Sequence, residues 1–409
     1  MLRFQQWRQT WATPHLLRAT LFCLPLVDEL VSGIPVLTLP LAREELHFTY
    51  AQVGLIFTVS ELTGLLVDPA LSAASDHWPK PRLVLGGMLG LTLGFALAGS
   101  SPTFGWLLVA FMLIGATNGA AVGLGGAVLI DQTPAKAQSI TTRWVFLATI
   151  GDLLGPLLVA ATVALQGSWR LLMGSGAFIW FAFALFLSAQ RFTKVSVKAT
   201  PEEKEEEEEE PLWRIIRTNL RKGLRTPHLM RWLLLATIPT LMDEMFLGFA
   251  GLFLTDVVGV QPSLISIVLS APVIGGLLSL GLMERFDKFT SSRFPNRIAP
   301  GRLLGGAALI TLAGLLCLLT ARTLWPALIG LFLTGLGAAP WYPVAKAQAY
   351  LLLPGRVGTV RALQAVFTPF EIGAPLLIGL VAEQWGIQTG LGLLLAAPIL
   401  VLLLRPRQA

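Results

Sequence analysis

Asp28-Glu29 and Asp243-Glu244 stand in one shared frame, Leu-x-Asp-Glu-x-x-x-Gly, at positions 26–33 and 241–248. Both frames lie inside strongly apolar stretches, and acids are rare there because burying a carboxylate in hydrocarbon is costly. A carboxylate held at low dielectric can exchange a proton near neutral pH, which is the physical requirement for proton coupling. Adjacent helical residues point about 100° apart, so one acid of each pair can face a polar cavity while its neighbour faces the next helix. Gly33 and Gly248 fall four residues after each Glu, on that Glu's face, and predict a close helix approach. The plainer alternative is that one acid of each pair only hydrogen-bonds a neighbouring helix.

Other charges share the apolar segments. Glu61 and Asp68 lie one heptad apart with Gly64 between them: Glu61 is a relay candidate, Asp68 a gate or interfacial residue. Asp152 and Glu371 each precede a small residue and a proline, in Gly155-Pro156 and Ala374-Pro375, and pair by position in the two halves. Arg143 and Arg361 open the same two segments and can snorkel to the interface. Lys346 lies deeper, beside Pro340-Trp341-Tyr342-Pro343, and calls for an acidic partner, Asp243 or Glu244 being the natural choices. Acids outnumber bases among these buried charges, which favours protons or cationic solutes and repels anions. Phe246, Phe249 and Phe253 form a stripe at helical spacing, read as packing or lipid-facing, with a wall for an amphipathic substrate as the alternative.

The elements that must position these residues follow from composition. The chain has 409 residues, 54% hydrophobic and 13% charged, against roughly 25% charged in soluble domains. Apolar windows of spanning length predict twelve transmembrane helices, at 16–41, 50–73, 83–100, 104–130, 139–166, 169–189, 231–256, 263–286, 302–321, 324–350, 357–382 and 386–404. Prolines 25, 35 and 40 are expected to interrupt the first, and Pro340 and Pro343 the tenth. With both termini cytoplasmic, the only basic residues left outside are Arg43, Arg170 and Arg322, so the positive-inside rule fixes this orientation. The expected organisation is an N-terminal six-helix bundle (1–190), a cytoplasmic linker (191–230) and a C-terminal bundle (231–409). The linker joins an acidic run, Pro201 to Pro211, to a segment with Leu212, Trp213, Ile215, Ile216, Leu220 and Leu224 opposite Arg214, Arg217, Arg221 and Arg225. The run reads as a solvated spacer, and the segment as a helix on an anionic membrane surface or an extension of the next span. The net charge of +6 sits at membrane edges and implies no nucleic-acid partner. Cys23 and Cys317 read as buried and inert, with no metal motif or disulfide framework.

Six spans, a long cytoplasmic linker and six related spans resemble the major facilitator superfamily over essentially the whole chain. That family's signature after the second span is similar to Ser72 through Arg82, where Asp76, Lys80 and Arg82 keep the chemistry and the usual glycines and first arginine are replaced. The resemblance implies that Asp76 closes the cytoplasmic side by pairing across the halves, and Glu284-Arg285-Phe286-Asp287-Lys288 looks like a loose second copy. Gly151-Asp152-Leu153-Leu154-Gly155-Pro156 is similar to the proline-glycine motif of the family's proton-driven exporters, without its trailing glycines.

The expected fold is therefore all-α, an integral membrane protein of two related six-helix bundles in the plasma (inner) membrane. The expected activity is secondary active transport without a cofactor: proton-coupled export of a small amphipathic or cationic organic molecule by a monomer rocking about a midplane site. Sodium is the alternative coupling ion. Uptake of a neutral metabolite or lipid-like molecule is the alternative transport reading, and a non-transporting scaffold or sensor the alternative class. No Walker-type phosphate loop, His-rich metal motif or nucleophile constellation points to ATP-driven transport or an enzyme.

Overall fold

The computed structural model describes residues 14–77, 80–126, 129, 137–188, 227–293, 299–352 and 363–406. All regular structure among them is helical. Eleven stretches of the described residues are long and apolar enough to cross a membrane. The eleventh expected span, 357–382, is not among them: its first residues lie outside the described ones, and the helix that follows starts only at Thr368. The chain divides into two compact units, Met1–Lys198 and Ala199–Ala409. The linker expected at 191–230 lies outside the described residues up to 226.

The N-terminal unit contains α1 (Pro14–Leu46), α2 (Tyr50–His77), α3 (Lys80–Ser100), α4 (Phe104–Asn118), α5 (Ala137–Ala164) and α6 (Trp169–Ser188). Contrary to the sequence expectation, α1 runs unbroken through Pro25, Pro35 and Pro40. It is packed along α5 and against α6, and such packing lets a membrane helix keep its course past prolines. Gly64 of α2 and Gly115 of α4 sit where the two backbones nearly touch, and Thr63 donates a hydrogen bond across to the Met112 carbonyl at 3.0 Å. A π-helical turn, Gly119–Gly123, continues α4.

The C-terminal unit contains α7 (Pro227–Thr237), α8 (Glu244–Phe253), α9 (Pro262–Arg293), α10 (Pro300–Thr320), α11 (Leu324–Ala338), α12 (Trp341–Leu352), α13 (Thr368–Trp385), α14 (Ile387–Gly392) and α15 (Ala396–Leu404). Its core joins Trp232 and Leu233 of α7, Leu304 and Ala308 of α10, Trp341 and Ala345 of α12, and Val401 of α15. Phe246, Phe249 and Phe253 are fully buried, so the stripe on α8 is packing and not lipid-facing. The tenth expected span does break, between Ala338 and Trp341, with Pro343 carried inside the first turn of α12.

Each unit closes one end in the same register. Arg170, second residue of α6, donates to the carbonyls of Gly99 (3.2 Å) and Ser101 (2.6 Å) at the end of α3. Gln388, second residue of α14, donates to the Leu319 carbonyl, one residue before the end of α10, at 2.8 Å. The bonds satisfy helix-terminal carbonyls that have no intrahelical partner. Only the N-terminal version is ionic: Glu45 of α1 accepts from Arg170 Nε at 2.9 Å and from Trp169 Nε1 at 2.5 Å, and the Arg170 guanidinium also lies over the Trp169 ring.

Candidate functional site

In the N-terminal unit the acids converge from two helices. Asp28 and Glu29 sit on α1 and Asp152 on α5, beside the place where the two helices meet. A close backbone contact, a weld, fixes α5 on α1. Gly151 of α5 lies directly on α1, where a Cβ would meet the Leu26 carbonyl oxygen at 2.5 Å, Glu29 Cβ at 2.8 Å and Leu30 N at 3.0 Å. Gly155, one turn on, faces the Leu30 and Glu29 carbonyl oxygens at 3.5 and 3.8 Å. Small residues four apart let helix backbones approach in this way. Asp152, next to Gly151 in the chain, is thereby carried to the level of Asp28.

The close approach expected at Gly33 is not found there: its nearest neighbour is Leu37 of its own helix, 3.8 Å from where a Cβ would be. Position in the two halves matches Asp152 with Glu371 and Asp28 with Asp243. Those matches compare halves, whereas the approach of α5, with Asp152, to the turn of α1 that bears Asp28 and Glu29 lies inside one. Glu61 projects from α2 and is exposed, and Asp68, one heptad on, has its carboxylate seated on Gly119 at the start of the π-helical turn. Cys23 of α1 is exposed, contrary to expectation, and Cys317 is partly buried with its thiol donating to the Pro326 carbonyl at 3.3 Å.

The C-terminal copy of the acidic frame is built differently. The apolar stretch ends α7 at Thr237 and passes through a 3₁₀ turn, Ile238–Met242. It breaks at Asp243, whose φ −105° and ψ −136° are not helical, and resumes as α8 at Glu244. Asp243 is thus the N-cap of α8, its carbonyl accepting from Leu247 N at 3.1 Å. Pro239 cannot donate a backbone hydrogen bond, and this accounts for the tightened turn before the break. The two frames therefore share sequence but not geometry. Asp28 and Glu29 project from a continuous helix, while Asp243 and Glu244 open a new one.

Lys346 of α12 donates to Gln364 Oε1 at 2.5 Å, and its ammonium lies 5.3 Å from the centre of the Tyr342 ring. Gln364, which carried no signal in the sequence, comes from the segment just before α13, the helix whose first turn holds Glu371. Trp341 is fully buried in the core, with no hydrogen-bond partner for its Nε1. Of the cytoplasmic gate candidates, Asp76 lies in α2, Lys80 and Arg82 in α3, and Glu284 and Arg285 in α9; Arg82 is exposed. Among the described residues no cluster of three or more His, Cys, Asp or Glu could hold a metal ion. The chemistry on hand is carboxylates that take or release a proton, with one lysine held by an amide.

A family model described as Major Facilitator Superfamily matches residues 21–368. Two curated relatives from Escherichia coli match smaller parts. The fosmidomycin resistance protein of strain K12 is 24% identical over 42% of this chain and 40% of its own length. The class C tetracycline resistance protein is 27% identical over 28% of this chain and 29% of its own length. This chain thus spans well under half the length of either. Among solved structures, a mutant of the nucleoside transporter NupG aligns with TM-score 0.75 at 12% identity, covering 95% of this chain and 98% of that one. A bacterial homolog of the human lysosomal transporter Spinster aligns with TM-score 0.72 at 14% identity over 96% of each chain. At such identities the likeness is one of fold.

Proposed function

We propose that this chain, which belongs to the Major Facilitator Superfamily by its match over residues 21–368, is a secondary active transporter driven by protons. It exports a small amphipathic or cationic organic molecule through the plasma membrane by alternating access, with both termini in the cytoplasm. The observation that carries the proton reading is the close approach of α5 to α1 at Gly151, the chain neighbour of Asp152, against the turn that bears Asp28 and Glu29. Two carboxylates on helices welded this closely can share one proton, which halves their charge, and a protonation change of that kind biases which conformation is populated. Asp243 and Glu244 at the broken helix supply a second acidic position, and broken helices line polar sites in many transporters. Export is supported by the two partial relatives named for resistance to fosmidomycin and tetracycline, since a transporter confers resistance most simply by removing the compound.

The test is transport in proteoliposomes with and without an imposed pH gradient, using a panel of cationic and amphipathic dyes. Asp28→Asn, Glu29→Gln, Asp243→Asn and Glu244→Gln keep shape but release no proton. At least one should abolish gradient-driven transport while leaving substrate binding measurable. Wild-type, pH-driven rates in all four would make the repeated acids structural. A sodium gradient that replaces the proton gradient at full rate would overturn proton coupling.

A further inference from the structure

We propose that Arg405 and Arg302 form a binding site for the phosphate of an anionic phospholipid, at the end of the C-terminal unit where α10 begins and α15 ends. Arg231 of α7 donates to the carbonyls of Leu404 and Arg405, the latter at 2.6 Å, and so ties down the end of α15. Its guanidinium is spent on those terminal carbonyls. The chain then crosses the first turns of α10. The Pro406 carbonyl lies on Gly301, and the Arg405 guanidinium reaches Gly305 end-on with its Nη1, where any Cβ would displace it. Gly305 is thus a seat kept open for one guanidinium.

That guanidinium is held but not used. Among the described residues neither Arg405 nor Arg302 makes a side-chain hydrogen bond or ion pair. Arg302 lies one turn before Gly305 on the same face of α10, and it is exposed. Both arginines stand at the ends of membrane-length stretches, Pro300–Thr320 and Ile387–Leu404, which is the depth of lipid head groups. A guanidinium fork matches phosphate oxygens two at a time, and basic pockets between membrane helices take such head groups.

The seat is particular to this unit. Counted from the same helix starts, the residue in place of Gly305 on α3 is Leu85, and the residue in place of Arg405 on α6 is Leu187. A bilayer-wide attraction for basic residues would need neither a fixed guanidinium nor a glycine beneath it.

The experiment is native mass spectrometry of the full chain with competing phosphatidylglycerol and phosphatidylcholine, alongside thermal unfolding in each lipid. Wild type should retain phosphatidylglycerol about tenfold over phosphatidylcholine, equivalent to roughly 1.4 kcal/mol. Arg405→Gln and Arg302→Gln should each lose most of that preference, and Arg322→Gln, at the far end of α10, should keep it. The decisive variant is Gly305→Ala, which keeps every charge but pushes the guanidinium off its seat, meeting only a flexible side chain that can swing away. Loss of preference in Gly305→Ala with an unchanged melting temperature in phosphatidylcholine supports the site. Undiminished preference in Gly305→Ala or Arg405→Gln reduces it to diffuse attraction and overturns it. Displacement of the lipid by millimolar inorganic phosphate would make it a site for soluble anions instead.

Discussion

Gly151→Ala should cripple the protein while Gly155→Ala, one helical turn away on the same helix and with the same chemistry, should be tolerated. The new Cβ at position 151 meets a carbonyl oxygen at 2.5 Å, a backbone nitrogen at 3.0 Å and the Cβ of Glu29 at 2.8 Å. None of these atoms can rotate away, so α5 must move off α1. At 155 the nearest atoms are carbonyl oxygens at 3.5 and 3.8 Å, an ordinary contact. Both changes gain the same helix propensity, about 1 kcal/mol, so that contribution cancels between them. What remains is the cost of overpacking at 151, about 1–3 kcal/mol. For a unit of this size that corresponds to roughly 2–12 °C between the two apparent melting temperatures. The same displacement parts Asp28 from Asp152, and gradient-driven transport should fall about tenfold or more in Gly151→Ala alone, the equivalent of about 1.4 kcal/mol. Thermal unfolding in detergent and pH-driven transport in proteoliposomes read the two effects separately. Equal melting temperatures and equal rates for the two variants would refute the weld. A lowered melting temperature with a normal rate would refute its role in setting the acid pair.

Two further outcomes follow from the same geometry. Arg170→Ala should destabilise the N-terminal unit more than Glu45→Gln. The arginine leaves two carbonyls without their donor, whereas the half-exposed ion pair contributes under about 1 kcal/mol; equal melting temperatures would contradict this. Glu205→Cys, in the acidic run, should react with an impermeant maleimide only when the cytoplasmic face is opened, and labelling of intact cells would refute the proposed topology.

The helical class and nearly all the membrane crossings were legible because spanning length and hydropathy act through composition, averaged over about twenty residues, and survive local error. Helix continuity was not. Pro25, Pro35 and Pro40 look like stronger breakers than the lone Pro239, yet α1 stays whole and the seventh expected span breaks at Asp243. Whether a proline interrupts a membrane helix depends on what packs against it. α1 is lined along its length by α5, and such contacts have no signature in α1's own residues.

The acids show the same division at the level of single side chains. Their place on apolar helices was readable, because each stands in an apolar window, but not their exposure: Glu61, Asp68, Asp152 and Asp243 are exposed. Nor were their partners readable. Matching positions between the halves aligned Asp28 with Asp243 and Asp152 with Glu371, while contact is decided by the register of α5 on α1. That register is set by Gly151 and Gly155, a small-x-x-x-small step visible in the sequence but silent about which helix it faces. Gln364 is the limiting case, since a single amide near an apolar run gives no reason to meet a lysine in another helix. The break at Asp243 then separates the roles of the two frames. A carboxylate on an unbroken helix moves only with that helix, which the weld fixes at Leu26, Glu29 and Leu30 around Asp28, whereas a residue at the joint of two segments can change direction with a few backbone torsions. If the two units exchange protons with the same two compartments, the rigid copy suits a fixed proton-binding group and the hinged copy suits the position that responds to it. Asp28→Asn should therefore remove the pH dependence of transport with little change in substrate affinity. Asp243→Asn should move affinity and rate together, and a reversal of these two effects would sink this division of labour.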